Sequence, residues 1–115
     1  MNKADCPFEF STTHGLTITA DIEGNLFDLY YPVFEAHGYS GNGYSWEGHI
    51  IQVLEKTDPD LISKIIFDPE AGAFFAIPED DRTMNRFREV LCPIFGDLTT
   101  LSQYLESADR SRIDD

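Results

Sequence analysis

Two pairs of short apolar runs, each followed by two segments of helical periodicity, predict an α+β fold in the order ββααββαα. The first pair, residues 8–12 and 16–22, brackets Thr13-His14-Gly15. The second, residues 65–67 and 74–77, brackets Asp68-Pro69-Glu70-Ala71-Gly72. Both read as β-hairpins, because the runs are too short for helices and the residues between them are turn formers. Two such hairpins are expected to merge into one four-stranded antiparallel sheet with the helices mainly on one face. At 115 residues the chain reads as a single α+β domain, residues 1–115, with a polar tail from about Ser107 that should fray.

Each helix has its own signature. Gly24-Asn25 ends the first hairpin pattern, and a helix follows that closes at Gly38, with Leu29 or Tyr30, Val33, Phe34 and His37 on one face. Pro32 is expected in or near its first turn, where a missing N–H costs little. Ser45 is the expected N-cap of a second helix carrying Trp46, Ile50, Val53 and Leu54 on one stripe. Asp58-Pro59 opens a short helical turn through Ser63. In the second hairpin, Pro69 suits φ near −65° and Gly72 suits a positive φ. A third helix over about residues 80–92 turns Met84, Phe87, Val90 and Leu91 inward and is closed by Pro93 and Gly96. Asp97 then caps a last helix with Leu98, Leu101, Tyr104 and Leu105.

Charge narrows the function classes. The chain has 21 acidic residues against 8 basic ones, a formal charge of −13, and no Lys or Arg between Lys3 and Lys56. A one-signed field of this kind repels nucleic acid and anionic membrane, and it raises association with basic partners by about 10- to 10³-fold. Nucleic acid and membrane are therefore excluded as expected partners, although acidity also serves plain solubility. Arg82, Arg86 and Arg88 on the third helix are expected to pair with Glu79, Asp80, Asp81 and Glu89. Cys6 and Cys92, far apart in sequence, make neither a disulfide framework nor a zinc site, and whether they pair stays open. Residues 1–10 lack an apolar signal core, and no run approaches the ~18 apolar residues of a membrane span. The working expectation is a reduced, cytoplasmic protein.

Three places invite a chemical reading. In Gly38-Tyr39-Ser40-Gly41-Asn42-Gly43-Tyr44-Ser45-Trp46, glycines let backbone approach a partner, and Tyr39, Tyr44 and Trp46 offer stiff contact area. The same aromatics suit a helix connection folded into the core; helical spacing favours that for Trp46 and leaves Tyr39 and Tyr44 open. As a phosphate cradle the segment fails, since no Lys follows in P-loop spacing. Asp68 and Glu70 could be paired catalytic carboxylates, with His37 in a sheet-side cleft, as in a small enzyme or small-ligand binder. Two acids in one tight turn more simply face solvent or cap the turn. His14, His37 and His49 have neither metal-ligand spacing nor a nucleophile partner, and His49 is expected to be exposed. No cofactor and no metal are implied.

The run from Gly38 to Trp46, followed by Phe67-Asp68-Pro69-Glu70-Ala71-Gly72-x-Phe74, resembles the Imm51 family of immunity proteins of bacterial polymorphic toxin systems. The similarity spans the first hairpin to the last helix. Where the family often has an acid before the Trp, this chain has Ser45. The resemblance implies a cytoplasmic antidote that binds a cognate toxin domain, without being an enzyme. A strongly acidic inhibitor suits a basic toxin, and nucleases are basic because they grip phosphates. The expected toxin-binding residues are Glu35, Tyr39, Asn42, Tyr44, Glu47, Asp68 and Glu70.

Overall fold

The computed structural model describes residues 6–24 and 26–114. Residues 1–5, part of the stretch expected to carry no signal, and Asn25 of the expected break lie outside the described residues. The strands are β1 (Glu9–Ser11), β2 (Thr17–Asp21), β3 (Ile65–Phe67) and β4 (Ala73–Pro78), and the helices are α1 (Phe27–Ala36), α2 (Gly43–Thr57), α3 (Asp81–Phe95) and α4 (Leu98–Ser107). The predicted ββααββαα order holds; the short helical turn expected after Asp58 is the 3-10 turn Pro59–Lys64, and a second 3-10 turn, Arg110–Arg112, is added in the tail. All four strands form one antiparallel sheet in the order β1-β2-β4-β3, so the two hairpins join through β2 and β4.

Strand alternation decides which face is covered. Ile18, Ala20, Phe74 and Ala76 are buried, whereas Thr19, Asp21, Ala73 and Phe75 between them are not. The buried set meets the helices over an aromatic core. Trp46 is fully buried between Phe8, Tyr30, Phe34 and Phe95, with ring centroids 5.0–5.9 Å away. Phe8 also stands edge-on to Phe74 at 5.7 Å and Phe87 at 5.1 Å. The Tyr30 hydroxyl donates to the Phe95 carbonyl at 2.6 Å, and burial pushes its pKa up to about 12.

Four local expectations are corrected. Pro32 lies inside α1, not in its first turn, because the helix starts early enough to bury both Tyr30 and Phe34; the Pro ring faces solvent, and only one helix hydrogen bond is lost. Pro93 lies within α3, which runs on to bury Ile94 and Phe95 before Gly96 ends it. The N-cap of α2 is Asn42, whose Oδ1 accepts the Ser45 N–H at 2.8 Å; Ser45 itself is fully buried. Gly72 does not take positive φ among the described residues. Gly38 does, at φ 83°, where it completes a Schellman closure of α1 through Gly38 N–H to Glu35 O and Tyr39 N–H to Phe34 O.

The described part of the polar tail is tied back onto the domain. Gln52 and the Asp109 backbone exchange two hydrogen bonds of 3.0 and 2.8 Å, Arg112 pairs with Glu55, and Ile113 packs on the core. Cys6 and Cys92 form a disulfide across 86 residues, which corrects the expectation of reduced thiols. Closing a loop of that length removes denatured-state freedom worth about 2–5 kcal/mol. Urea unfolding with and without reductant should show a difference in unfolding free energy of that size, matched by Cys6→Ala/Cys92→Ala. Coincident curves would show that the bond does not support the fold.

Candidate functional site

The two motif segments of the sequence meet in space. At the start of α2, Gly43 N–H donates to the Ala71 carbonyl at 3.0 Å, in the turn between β3 and β4. A Cβ at Gly43 would lie 1.9 Å from the Glu70 carbonyl oxygen and 2.3 Å from that of Ala73, so no side chain fits there. The turn is closed by reciprocal Glu70–Ala73 backbone bonds of 2.9 and 3.2 Å and held to the first hairpin by Ile22 and Glu23 N–H donating to Gly72 O. Helix start, hairpin turn and the end of β2 therefore form one joint.

That joint sorts the seven expected contact residues. Tyr39 is 5% exposed; its ring packs edge-on to His49 at 4.5 Å and lies under the Arg110 guanidinium at 4.3 Å, so it belongs to the core. His49, expected to be exposed, is buried there with it. Asn42 serves as the α2 cap. Glu35 is exposed and accepts from the Tyr31 hydroxyl at 3.2 Å, and Tyr44 is 37% exposed next to the joint. Glu47 is half-buried, and its pKa is raised by desolvation first and by the nearby Asp114 charge second. Asp68 and Glu70 are exposed on the uncovered side of the sheet.

There they line a groove of about 270 Å³ with two acids that the sequence reading did not single out, Glu9 and Asp21. Strand register explains the arrangement. Glu9 pairs with Thr19, Thr19 with Phe75, and Asp68 N–H donates to the Phe75 carbonyl, so one cross-strand row ends in a carboxylate on each side. The next row, Asp21-Ala73-Glu70, does the same. Beyond them the face turns apolar at the Ile66–Ile77 pair, with Ile66 64% exposed. Glu9 and Asp21 were legible in principle, since period-two alternation from Ile18 and Ala20 puts Thr19 and Asp21 opposite the core.

Among the described residues none of these four carboxylates has an ion-pair partner. Several of the described cations are engaged elsewhere. Arg86 pairs with Asp58 at 2.8 Å and with Glu89 at 3.3 Å. Arg88 lies over the Phe10 ring at 4.3 Å, so only part of the expected pairing along α3 is made. His37 stands apart from the groove, its Nε2 2.6 Å from the Ser102 hydroxyl, so His37, Asp68 and Glu70 do not converge on one pocket. Among the described residues no three His, Cys, Asp or Glu side chains are placed to share a metal ion. None of their helices is long and apolar enough to cross a membrane.

Fold and site together define a small α+β domain with one covered and one acidic, uncovered sheet face. The chain belongs to the family described as Immunity protein 51, whose model matches residues 11–110. No curated protein and no solved structure matches it.

Two predictions follow from the side-chain placements. Tyr39→Ala should cost about 3–5 kcal/mol in chemical unfolding, as for other buried aromatics, whereas Tyr44→Ala should change stability by no more than about 0.5 kcal/mol. For Glu47, a pKa raised on folding means that the folded state holds the proton more tightly. The relative stabilisation is full below the ordinary carboxylate value of 4.5 and is lost as pH rises through the raised value. Glu47→Gln should therefore raise Tm at pH 7 and leave it nearly unchanged at pH 3.5.

Proposed function

We propose that this chain is an antidote that binds a cognate toxin domain and neutralises it by occlusion, without catalysing a reaction. The observation that carries the reading is membership of an immunity-protein family in a chain whose acids, among the described residues, are largely left unpaired by its cations. The toxin domain is a basic protein, and a nuclease fits best, because a surface evolved for phosphates accepts carboxylates in their place. Complementary charge gives fast capture, and desolvated aromatic and aliphatic contacts slow release. Of the outward side chains, Tyr44, Glu47 and Glu35 are further contacts carried by the helices, whereas Tyr39 and Asn42 act indirectly by holding the joint. Nucleic acid and anionic membrane are not partners at a charge of −13.

The place of action is where the toxin would otherwise kill, and the cytoplasm is the expected place. The Cys6–Cys92 bond argues instead for an oxidising compartment. Thiol trapping in lysates separates the two: alkylated Cys6 and Cys92 mean cytoplasmic residence, protected ones an oxidising site.

The deciding experiment is a growth-rescue assay. Candidate toxin domains encoded beside this chain's gene are each expressed in a bacterial host with and without this chain. Rescue only on co-expression, with the two proteins co-purifying, is the expected result. A toxin that kills despite abundant folded antidote removes the reading. Tyr44→Ala with Glu47→Lys should weaken rescue while circular dichroism stays native.

A further inference from the structure

We infer that the uncovered sheet face is the docking surface, and that its occupant is an extended basic segment of the toxin domain, laid along β2 and β4 between two walls of carboxylates. This rests on the antidote reading above and adds where the partner sits and what chemistry it presents. The walls are Glu9 and Asp21 on one side and Asp68 and Glu70 on the other; the floor is Ala73 and Phe75.

The dimensions fit a strand. Neighbouring strands lie ~4.8 Å apart, so Glu9 and Asp68, three strand steps apart, stand roughly 14 Å from each other, and Asp21 and Glu70, two steps apart, roughly 10 Å. A chain in the channel places a Lys or Arg within reach of either wall, since those side chains extend ~6 Å from the backbone. Residues of an extended segment alternate at period two, so apolar side chains between the basic ones fall on Phe75 and on toward Ile66 and Ile77. Both ends of the recognition are thus provided: unpaired acids for the cationic heads, and an apolar floor left bare because every helix packs on the opposite face.

Charge complementarity selects this occupant over others. A second copy of the chain would set four carboxylates against four more. A phosphate-bearing or lipid surface would be repelled by the same walls. A divalent cation needs ligands closer together than these acids are, because no three acidic, His or Cys side chains among the described residues can share one ion.

The test has two arms. In the first, the ¹⁵N-labelled chain is titrated with a Lys-Val-Lys-Val-Lys-Val peptide, with Glu-Val-Glu-Val-Glu-Val as control. Amide shifts confined to the Lys peptide and centred on Thr19, Asp21, Glu70, Ala73 and Phe75 are expected. Shifts centred on α1 and α4, or none, overturn the inference. In the second, association with the co-purifying toxin domain is measured for Glu9→Gln/Asp21→Asn/Asp68→Asn/Glu70→Gln, for Ile66→Lys, and for the control Asp60→Asn/Glu106→Gln. The groove variant should associate about 10- to 10³-fold more slowly and lose most of its salt dependence; the control should match the wild type apart from a small general charge effect. Ile66→Lys should bind more weakly with unchanged far-UV circular dichroism. Wild-type rescue with unaltered groove variants sinks the surface and leaves the antidote reading standing. Failure of wild-type rescue removes the antidote reading, and the peptide arm then decides the groove alone.

Discussion

Phe8 enters the core from the first strand region and meets Trp46, Phe74, Phe87 and Phe95 at 5.1–5.9 Å, joining β1, β4, α2 and α3 through one ring. Edge-on and tilted aromatic pairs of this kind add about 0.5–1.5 kcal/mol each beyond area burial. Trp46 extends the cluster to α1 through Tyr30 and Phe34, and the Cys6–Cys92 bond ties the chain just before Phe8 to α3. Because this cluster lies on a single side of the sheet, the helices that bury it pack on that side and leave the other open. A bare, acid-walled sheet face follows directly from a one-sided core.

The joint at Gly43 is the second consequence. With helix α2 seated on the Glu70–Ala73 turn at a separation no Cβ would tolerate, the two motif segments are two halves of one contact. Much of what made them conspicuous is therefore architectural. Gly43 gives the close approach, Asn42 caps the helix, Trp46 fills the core and Tyr39 is covered by Arg110. What remains outward is Tyr44 beside the joint and the carboxylates of Asp68 and Glu70, which the turn holds at the rim of the groove. Architecture takes up one set of atoms in the segment and leaves another set facing outward.

The elements and their order were legible because period-two and period-3.6 patterns survive in short segments, and because Asp80 and Asp97 are plain N-caps. The misreadings share a cause. Local propensity placed Pro32 and Pro93 at helix ends, yet Phe34 on one helix and Ile94 and Phe95 on the other gain more from burial than one missing hydrogen bond costs. Tyr39 stayed open and His49 was expected to be exposed, because an aromatic ring after a glycine reads the same whether it folds in or out. The Arg110 lid that decides the matter comes from 71 positions away in the chain. Glu9 joins Asp68 only through sheet order, and Cys6 meets Cys92 only in the folded chain. Pattern within a segment was readable; proximity between distant segments was not.

The charge distribution carries the synthesis further. Arg86 and Arg112 pair with acids, and Arg88, Arg110 and Lys56 lie over aromatic rings. Those contacts draw positive charge to α3, the tail and the α2–α4 side, and none of these cations lines the sheet-face groove. The groove carboxylates are therefore left without an ion-pair partner among the described residues, where the sheet is uncovered and the floor is apolar. Such a surface works on two length scales. The field acts over about the Debye length of 8–10 Å and sets the encounter rate, whereas the Phe75–Ile77–Ile66 floor acts only on contact and sets the lifetime. A basic partner that also offers an apolar strand satisfies both, while a merely basic one gains the encounter without the residence.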